Sequence, residues 1–260
     1  MTTPLTGGAR MARLATLRRA AGLLNDFRYE QSDPARFYGA LATDTANMVE
    51  AFVPDLAGTG PDGAVILDVG GGPGYFADAF RARGAHYVSV EPDPDEMHAG
   101  GLEHRGSVRG SGQALPFADG CVDVCLSSNV VEHTPTPWQM ADEMLRVTRP
   151  GGIVIISYTL WWGPFGGHEM GLTHYLGGHR AARMYTRRNG HPPKNLYGTS
   201  LFAVSAADGL RWARSATGSG HAELVAAFPR YIPRWMWWVM RLPVLRDVLG
   251  TNLVLVLRRR

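Results

Sequence analysis

A chain of 260 residues, 45% hydrophobic and 19% charged, carries enough apolar material for one sizeable core, which excludes a disordered or fibrous protein. The formal net charge of +3 hides an asymmetry: residues 1–28 and 177–260 are strongly basic, while 29–176 hold seven basic against nineteen acidic groups. Two cysteines exclude a disulfide framework, since Cys121 and Cys125 in one extended run lie about 13 Å apart and a bridge needs roughly 7 Å or less. With no continuous apolar leader at the N-terminus, a reducing, cytoplasmic setting is expected.

In chain order, residues 10–27 show helical spacing of apolar side chains with Arg10, Arg13 and Arg19 between them. A second helix is predicted over 34–52, with Asp33 as N-cap and Pro34 in its first turn. The Gly/Pro cluster at 58–61 ends this entry segment. Strands are then predicted at 64–69, 86–91, 107–110, 122–127 and 153–158, alternating with helices at 75–83, 94–104 and 137–148. Such alternation argues for a parallel sheet covered on both faces. The uncharged stretch 151–167 approaches the length of a membrane span, but its β-branched start, glycines and Pro164 read as a buried strand followed by a loop. Residues 159–200 look like an insertion above the sheet. A helix at 205–214 and strands at 223–228 and 252–257 follow, with the Trp-rich stretch 229–250 between those strands.

The segment Asp68-Val69-Gly70-Gly71-Gly72-Pro73-Gly74 sits between a strand and a helix, where glycines allow a sharp turn and a close approach by a ligand. Glu91 ends the next strand about twenty residues on, the place for a carboxylate that accepts from ribose hydroxyls. A nicotinamide fingerprint would need glycine or alanine at Tyr75, and a phosphate loop would need Gly-Lys-Ser/Thr; neither is present. This spacing suits a nucleoside with an amino-acid tail.

Four segments carry a resemblance: VILDVGGGPGYFADAF, VSVEPDP, GSGQALPFADGCVDVCLSSNVVEH and MLRVTRPGGIVIIS. Together they resemble the class I S-adenosylmethionine-dependent methyltransferases of the small-molecule "type 11" group, and the whole chain resembles actinobacterial proteins of this type. The resemblance implies an α/β, Rossmann-like doubly wound sheet of seven strands, the last antiparallel, with strands 223–228 and 252–257 pairing. It implies one domain over 1–260, with a helical segment at 1–55 and insertions at 159–200 and 229–250. It also implies S-adenosylmethionine as cofactor. Gly70, Gly72 and Gly74 would approach its methionine and ribose, Asp68 its amino group and Glu91 its ribose hydroxyls. Pro92, Asp93 and Met97 would line the adenine, bordered by Gly112, Gln113, Ala114 and Leu115. Ser128 and Asn129 would stand at the methionine end.

Methyl transfer from a sulfonium needs an aligned, desolvated acceptor, and an oxygen or nitrogen acceptor also needs a base. Glu132 and His133 are the first candidates, followed by His168 and His174 in the insertion. Glu169 and Tyr175, with Tyr158 and Trp161 at the end of the preceding strand, are expected to face the substrate; the alternative for the insertion residues is that they tie a loop to the domain. No metal site is expected, because His-Glu-x-x-His starting at His168 would need a histidine at Leu172. Absence of Asn/Asp-Pro-Pro-aromatic after Ser128 argues against methylation of nucleic-acid bases.

The flanks combine Trp235, Trp237 and Trp238 with Arg230, Arg234, Arg241 and Arg246. That composition suits an anionic membrane surface and a lipid or amphiphilic acceptor, with a tryptophan lid on the core as the alternative. The enzyme would then be peripheral on the inner membrane surface. Nucleic acid is not an expected partner, for no nucleic-acid module is present. Two other function classes stay open: a non-catalytic S-adenosylmethionine sensor or scaffold, and an NAD(P)-dependent reductase.

Overall fold

The computed structural model describes residues 7–29, 32–59, 63–98 and 106–260. Two short helices, α1 (Gly7–Leu14) and α2 (Leu17–Asp26), lead to the long α3 (Pro34–Phe52). Residues 10–27 are therefore not one helix: Thr16 breaks the run, its hydroxyl accepting the Arg19 N–H as an N-cap. Helix α3 starts where the sequence places it, with the Asp33 carboxylate capping the Arg36 N–H and Pro34 in the first turn. The turn cluster expected at 58–61 is described only as far as Thr59.

Next come β1 (Val65–Val69), α4 (Ala77–Arg81), β2 (His86–Glu91), α5 (Pro94–His98), β3 (Ser107–Arg109), β4 (Val122–Ser128), α6 (Pro137–Val147) and β5 (Thr148–Thr159). Helix α4 is shorter than expected because residues 74–76 are spent on the turn. The helix expected over 94–104 is described to His98, and its remainder lies outside the described residues. The insertion carries α7 (Gly178–Asn189). Helix α8 (Ala206–Gly218) opens on a reciprocal Ser205–Asp208 capping box. The chain ends with β6 (Ala222–Pro229), α9 (Leu245–Leu249) and β7 (Asn252–Arg259).

The seven strands form one sheet in the order β3-β2-β1-β4-β5-β7-β6. Strands β1 to β5 pair in parallel, and β7 inserts antiparallel between β5 and β6. The expected pairing of the last two strands is present. Alternation along each strand sends side chains to two cores. Leu67, Cys125, Val154 and Leu255 meet Met140, Met144 and Trp212 on one face. Ile66, Val124, Ile155 and Val254 meet Leu41, Met48 and Phe80 on the other. Residues 151–167 are strand and loop as expected, and no described helix is long and apolar enough to cross a membrane. Both cysteines are free thiols, Cys125 buried and Cys121 exposed.

Candidate active site

Strand β1 has β2 on one side and β4 on the other, so the chain reverses its direction of travel across the sheet here. Open α/β sheets form their ligand crevice at the carboxyl ends of such strands. Four sequence-predicted segments meet in that crevice: the glycine turn after β1, Glu91 ending β2, residues 111–115 after β3, and Ser128-Asn129 ending β4.

Gly70 adopts φ +77°, and a β-carbon there would come within 2.4 Å of Val130 Cγ2. Gly72, at φ +52°, differs: a β-carbon would meet nothing within 4 Å, so its backbone borders space that a ligand can enter. Gly74 closes the turn by donating to the Gly71 carbonyl at 2.9 Å. The Glu91 carboxylate accepts from Gly72 N–H and Asp93 N–H, both at 3.2 Å, and burial pushes its pKa up against these bonds. Asp68 is buried and accepts the Tyr87 hydroxyl at 2.6 Å. Burial pushes its pKa to about 7; the Tyr87 hydrogen bond opposes that shift and the charge of Glu91 adds to it. An acid so placed gains most from a cationic ligand.

Residues 111–115 are held from below. Ala114 N–H donates to Ser111 O at 3.1 Å, and Leu115 N–H donates to the Glu143 carboxylate at 2.8 Å. Arg146 grips Glu143 at 2.7 Å and the Leu115 and Phe117 carbonyls at 3.1 and 2.9 Å. Its hydrogen bond keeps the Glu143 carboxyl below the usual range. The Gln113 side chain donates to Thr136, and its carbonyl accepts from Gln139. Pro92 and Asp93 are exposed beside half-buried Met97, and Lys194 of the insertion reaches Glu96 of α5 at 3.0 Å.

At the end of β4, Ser128 Oγ accepts from Arg230 at 3.1 Å. Asn129 has φ +58°, donates its N–H to Ser157 O at 2.7 Å, and accepts the Asn252 side-chain amide at 3.0 Å. Arg230 is fully buried against Asp44 and Thr45. Neither Arg230 nor Asn252 was legible as part of the site; both sit far away in the chain, and Arg230 lies in a stretch that reads as peripheral.

A 3-10 turn, Val131–His133, follows. Glu132 is only 2% exposed; its Oε1 accepts Thr159 N–H at 3.0 Å, while Oε2 has no partner among the described residues. His133 Nδ1 lies 2.6 Å from Ser200 O, which can only accept, so Nδ1 is the donor of that bond and Nε2 is left for another partner. His168, at φ +48°, packs its ring edge-on against His133 with centroids 5.0 Å apart. One donor atom from each of Glu132, His133 and His168 lies within 4.8 Å of the other two. Burial lowers the His168 pKa, leaving a neutral imidazole.

The other acceptor-side candidates lie outside this group of three, although Glu169 and His174 are close enough to act on His168 electrostatically. Both Glu169 oxygens accept from Asn195, at 2.7 and 2.9 Å, so Glu169 ties the insertion together. His174 is buried with its ring against Trp161 and Tyr175, and its Nδ1 meets Gly171 O at 2.8 Å. Tyr175 donates its hydroxyl to Trp162 O. Trp161 packs in the small core of the insertion, and Tyr158 is fully buried with its hydroxyl on Ser205 O at 3.0 Å. Beside the crevice stands an aromatic wall, made, apart from Tyr75, by parts of the chain that carry no motif. Phe27 packs on Phe37, Phe165 and Tyr231, and Tyr38 stacks on Tyr75 at 4.2 Å.

Residues 67–156 match the family described as "Methyltransferase domain". A protein named as an uncharacterized methyltransferase in Mycobacterium marinum is 63% identical over 96% of this chain and 98% of its own length. Its counterpart in Mycobacterium tuberculosis is also 63% identical, over 95% and 96%. Among solved structures, the methyltransferase bound to the Trm112 activator of Haloferax volcanii aligns with a TM-score of 0.52 at 16% identity, covering 92% of this chain and 94% of that one. A SAM-dependent methyltransferase of Thermotoga maritima aligns at 0.50 and 16%, covering 90% and 95%. These two show a common fold. The open backbone at Gly72 and the acids Asp68 and Glu91 fit a cationic nucleoside, and it is the methyltransferase relatives that tell against the nicotinamide alternative. The chain belongs to the class I S-adenosylmethionine-dependent methyltransferases, and S-adenosylmethionine is its cofactor.

Proposed function

We propose that the enzyme methylates a small lipid-like or amphiphilic acceptor while resting on an anionic membrane surface from the cytoplasmic side. The observation that carries this reading is an exposed apolar rim beside the aromatic wall. In the 3-10 segment Arg234–Arg241, Trp235 and Trp238 are 69% and 53% exposed, whereas Trp237 turns inward onto Phe228. Arg234 N–H donates to Ala15 O at 2.8 Å, which sets this segment beside the exposed Leu14 and Leu17. Exposed Phe165 stacks on Phe27 in the same wall. Indoles among arginines suit the headgroup region of a bilayer.

The bound cofactor supplies an activated sulfonium methyl group. Asp68 pairs with its ammonium and Glu91 holds the ribose hydroxyls. Pro92, Asp93, Met97 and residues 112–115 flank the adenine, and Ser128-Asn129 shapes the methionine end. Glu132, His133 and His168 face the acceptor, while the aromatic wall excludes water.

Incubation with S-adenosylmethionine and a fractionated cell extract tests this reading. S-adenosylhomocysteine should form with the lipid fraction, together with a lipid one methylene heavier. Turnover only with water-soluble metabolites would sink the lipid class. Tight cofactor binding without turnover on any fraction would favour the non-catalytic sensor.

A further inference from the structure

We infer that Glu132, His133 and His168 form a binding site for one divalent transition-metal ion of the zinc type. Their donor atoms already lie within 4.8 Å of one another. Bonds of about 2.0–2.2 Å to a common ion would draw them to roughly 3.4 Å apart. Side-chain rotations would supply that closure, and both imidazoles are half-buried rather than fully enclosed.

Three separate observations point to a ligand here. The buried Glu132 carboxylate has one oxygen satisfied by Thr159 N–H and one, Oε2, with no partner among the described residues. A carboxylate oxygen left so in a protein interior is costly and calls for a cation or a donor. His168 Nε2 is likewise unpartnered, and His133 spends its Nδ1 proton on the Ser200 carbonyl. A backbone carbonyl on one ring nitrogen is what fixes the orientation of metal-binding imidazoles. Glu132 Oε2 and His168 Nε2 are thus two buried polar atoms without a described partner, in a cluster that His133 completes. Finally, His168 is held at φ +48°, a conformation that non-glycine residues rarely adopt. The turn before it is packed too tightly for side chains: a β-carbon would come 2.1 Å from Trp161 O at Gly166, and 2.2 Å from Gly171 O at Gly167.

The donor set selects the metal. Two imidazoles and one carboxylate match zinc sites that keep a position open, whereas magnesium and calcium prefer oxygen ligands throughout. The open position would take a hydroxyl or carboxylate oxygen of the acceptor; that part rests on the proposed function, and metal binding itself does not. The spacing that led to an expectation of no metal was local, running from His168 to Leu172. The set assembled here instead joins the turn after β4 to the insertion.

Untagged full-length protein, stripped with a chelator, should be titrated with cobalt(II) and then with zinc. The expected result is one ion per chain, a visible tetrahedral-type cobalt spectrum, and its loss on adding zinc. His133→Ala and His168→Ala should each weaken cobalt binding about tenfold or more. Glu132→Gln should do the same while keeping its bond to Thr159. His221→Gln, at an exposed site just before β6, should change nothing. S-adenosylmethionine binding, followed by calorimetry on the same samples, reports whether each variant is folded. Stripped wild-type protein that binds S-adenosylmethionine but gives no cobalt spectrum would overturn the inference. So would cobalt binding unchanged in both histidine variants, which would place the ion elsewhere on the chain. Cobalt binding is read without cofactor, so a failure to bind S-adenosylmethionine would count against the cofactor site and not against the metal.

Discussion

Arg230 and Asp44 form an ion pair at 2.9 Å, with the guanidinium wholly buried, and it locks the connection after β6 onto α3. Arg19 of α2 shares the same carboxylate at 2.6 Å, and Arg230 passes on to Ser128 at the cofactor crevice. Burial alone would raise the Asp44 pKa; the charges of Arg230 and Arg19, with their hydrogen bonds, overcome it and hold the carboxyl below its ordinary value. The two arginines therefore tie the entry helices and the start of the tryptophan segment to Ser128 at the end of β4.

Breaking that network should be costly, because it leaves a buried charge unmatched. Asp44→Asn and Arg230→Met should each lower unfolding free energy by about 3–5 kcal/mol in urea titrations. The double variant Asp44→Leu with Arg230→Met should lose less than the sum. A carboxylate with a depressed folded pKa contributes stability above its unfolded pKa of 3.8, and that contribution disappears as pH falls through the lower folded value. Single variants within about 1 kcal/mol of wild type would show that the pair contributes little.

Gly70 and Gly72 should separate fold from ligand. Gly70→Ala drives a methyl group into Val130 and should cost about 1–3 kcal/mol of stability. Gly72→Ala meets no neighbour, so it should cost only the backbone strain of a positive φ, about 1 kcal/mol. Its methyl group nonetheless occupies the ligand's space, and calorimetry should show S-adenosylmethionine affinity falling about tenfold or more. Unchanged affinity in Gly72→Ala would place the cofactor elsewhere.

Asp68 should make cofactor binding depend on pH. Its folded pKa, raised to about 7 by burial, means that the folded protein holds a proton the unfolded chain releases near 3.8. Stability without ligand should therefore decline as pH rises from about 4 to 7. Pairing with the cofactor's ammonium favours the ionised form, so affinity should increase between about pH 6 and 8 with release of a proton. Asp68→Asn should flatten both trends. A flat affinity profile in wild type would mean that Asp68 does not meet the ammonium.

The exposed tryptophans should govern membrane contact alone. Trp235→Ser with Trp238→Ser should reduce co-flotation with anionic vesicles by roughly tenfold and leave S-adenosylmethionine affinity unchanged. Added salt should weaken the wild-type interaction further, as the arginines nearby are screened. Flotation of the double variant at wild-type levels would return these side chains to a role within the protein.

Local patterns were enough for much of this protein. The strand–turn–helix around Gly70–Gly74 and the alternation of strands and helices follow from nearest neighbours and from period-two burial, and so does the start of α3 at Asp33-Pro34. Contacts between distant segments were not legible, because no local spacing encodes them. Arg230 and Arg19 count as surface charge in any composition, yet they converge on Asp44 in the interior. Glu169 and His174 carry the residue types of an active site, but folding spends them on Asn195 and on the packing of Trp161. The sequence by itself determined a nucleoside-binding α/β chain of the methyltransferase family. Only the tertiary structure set His168 against Glu132 and His133, since a turn after β4 and a glycine-rich insertion meet there only when the sheet is closed.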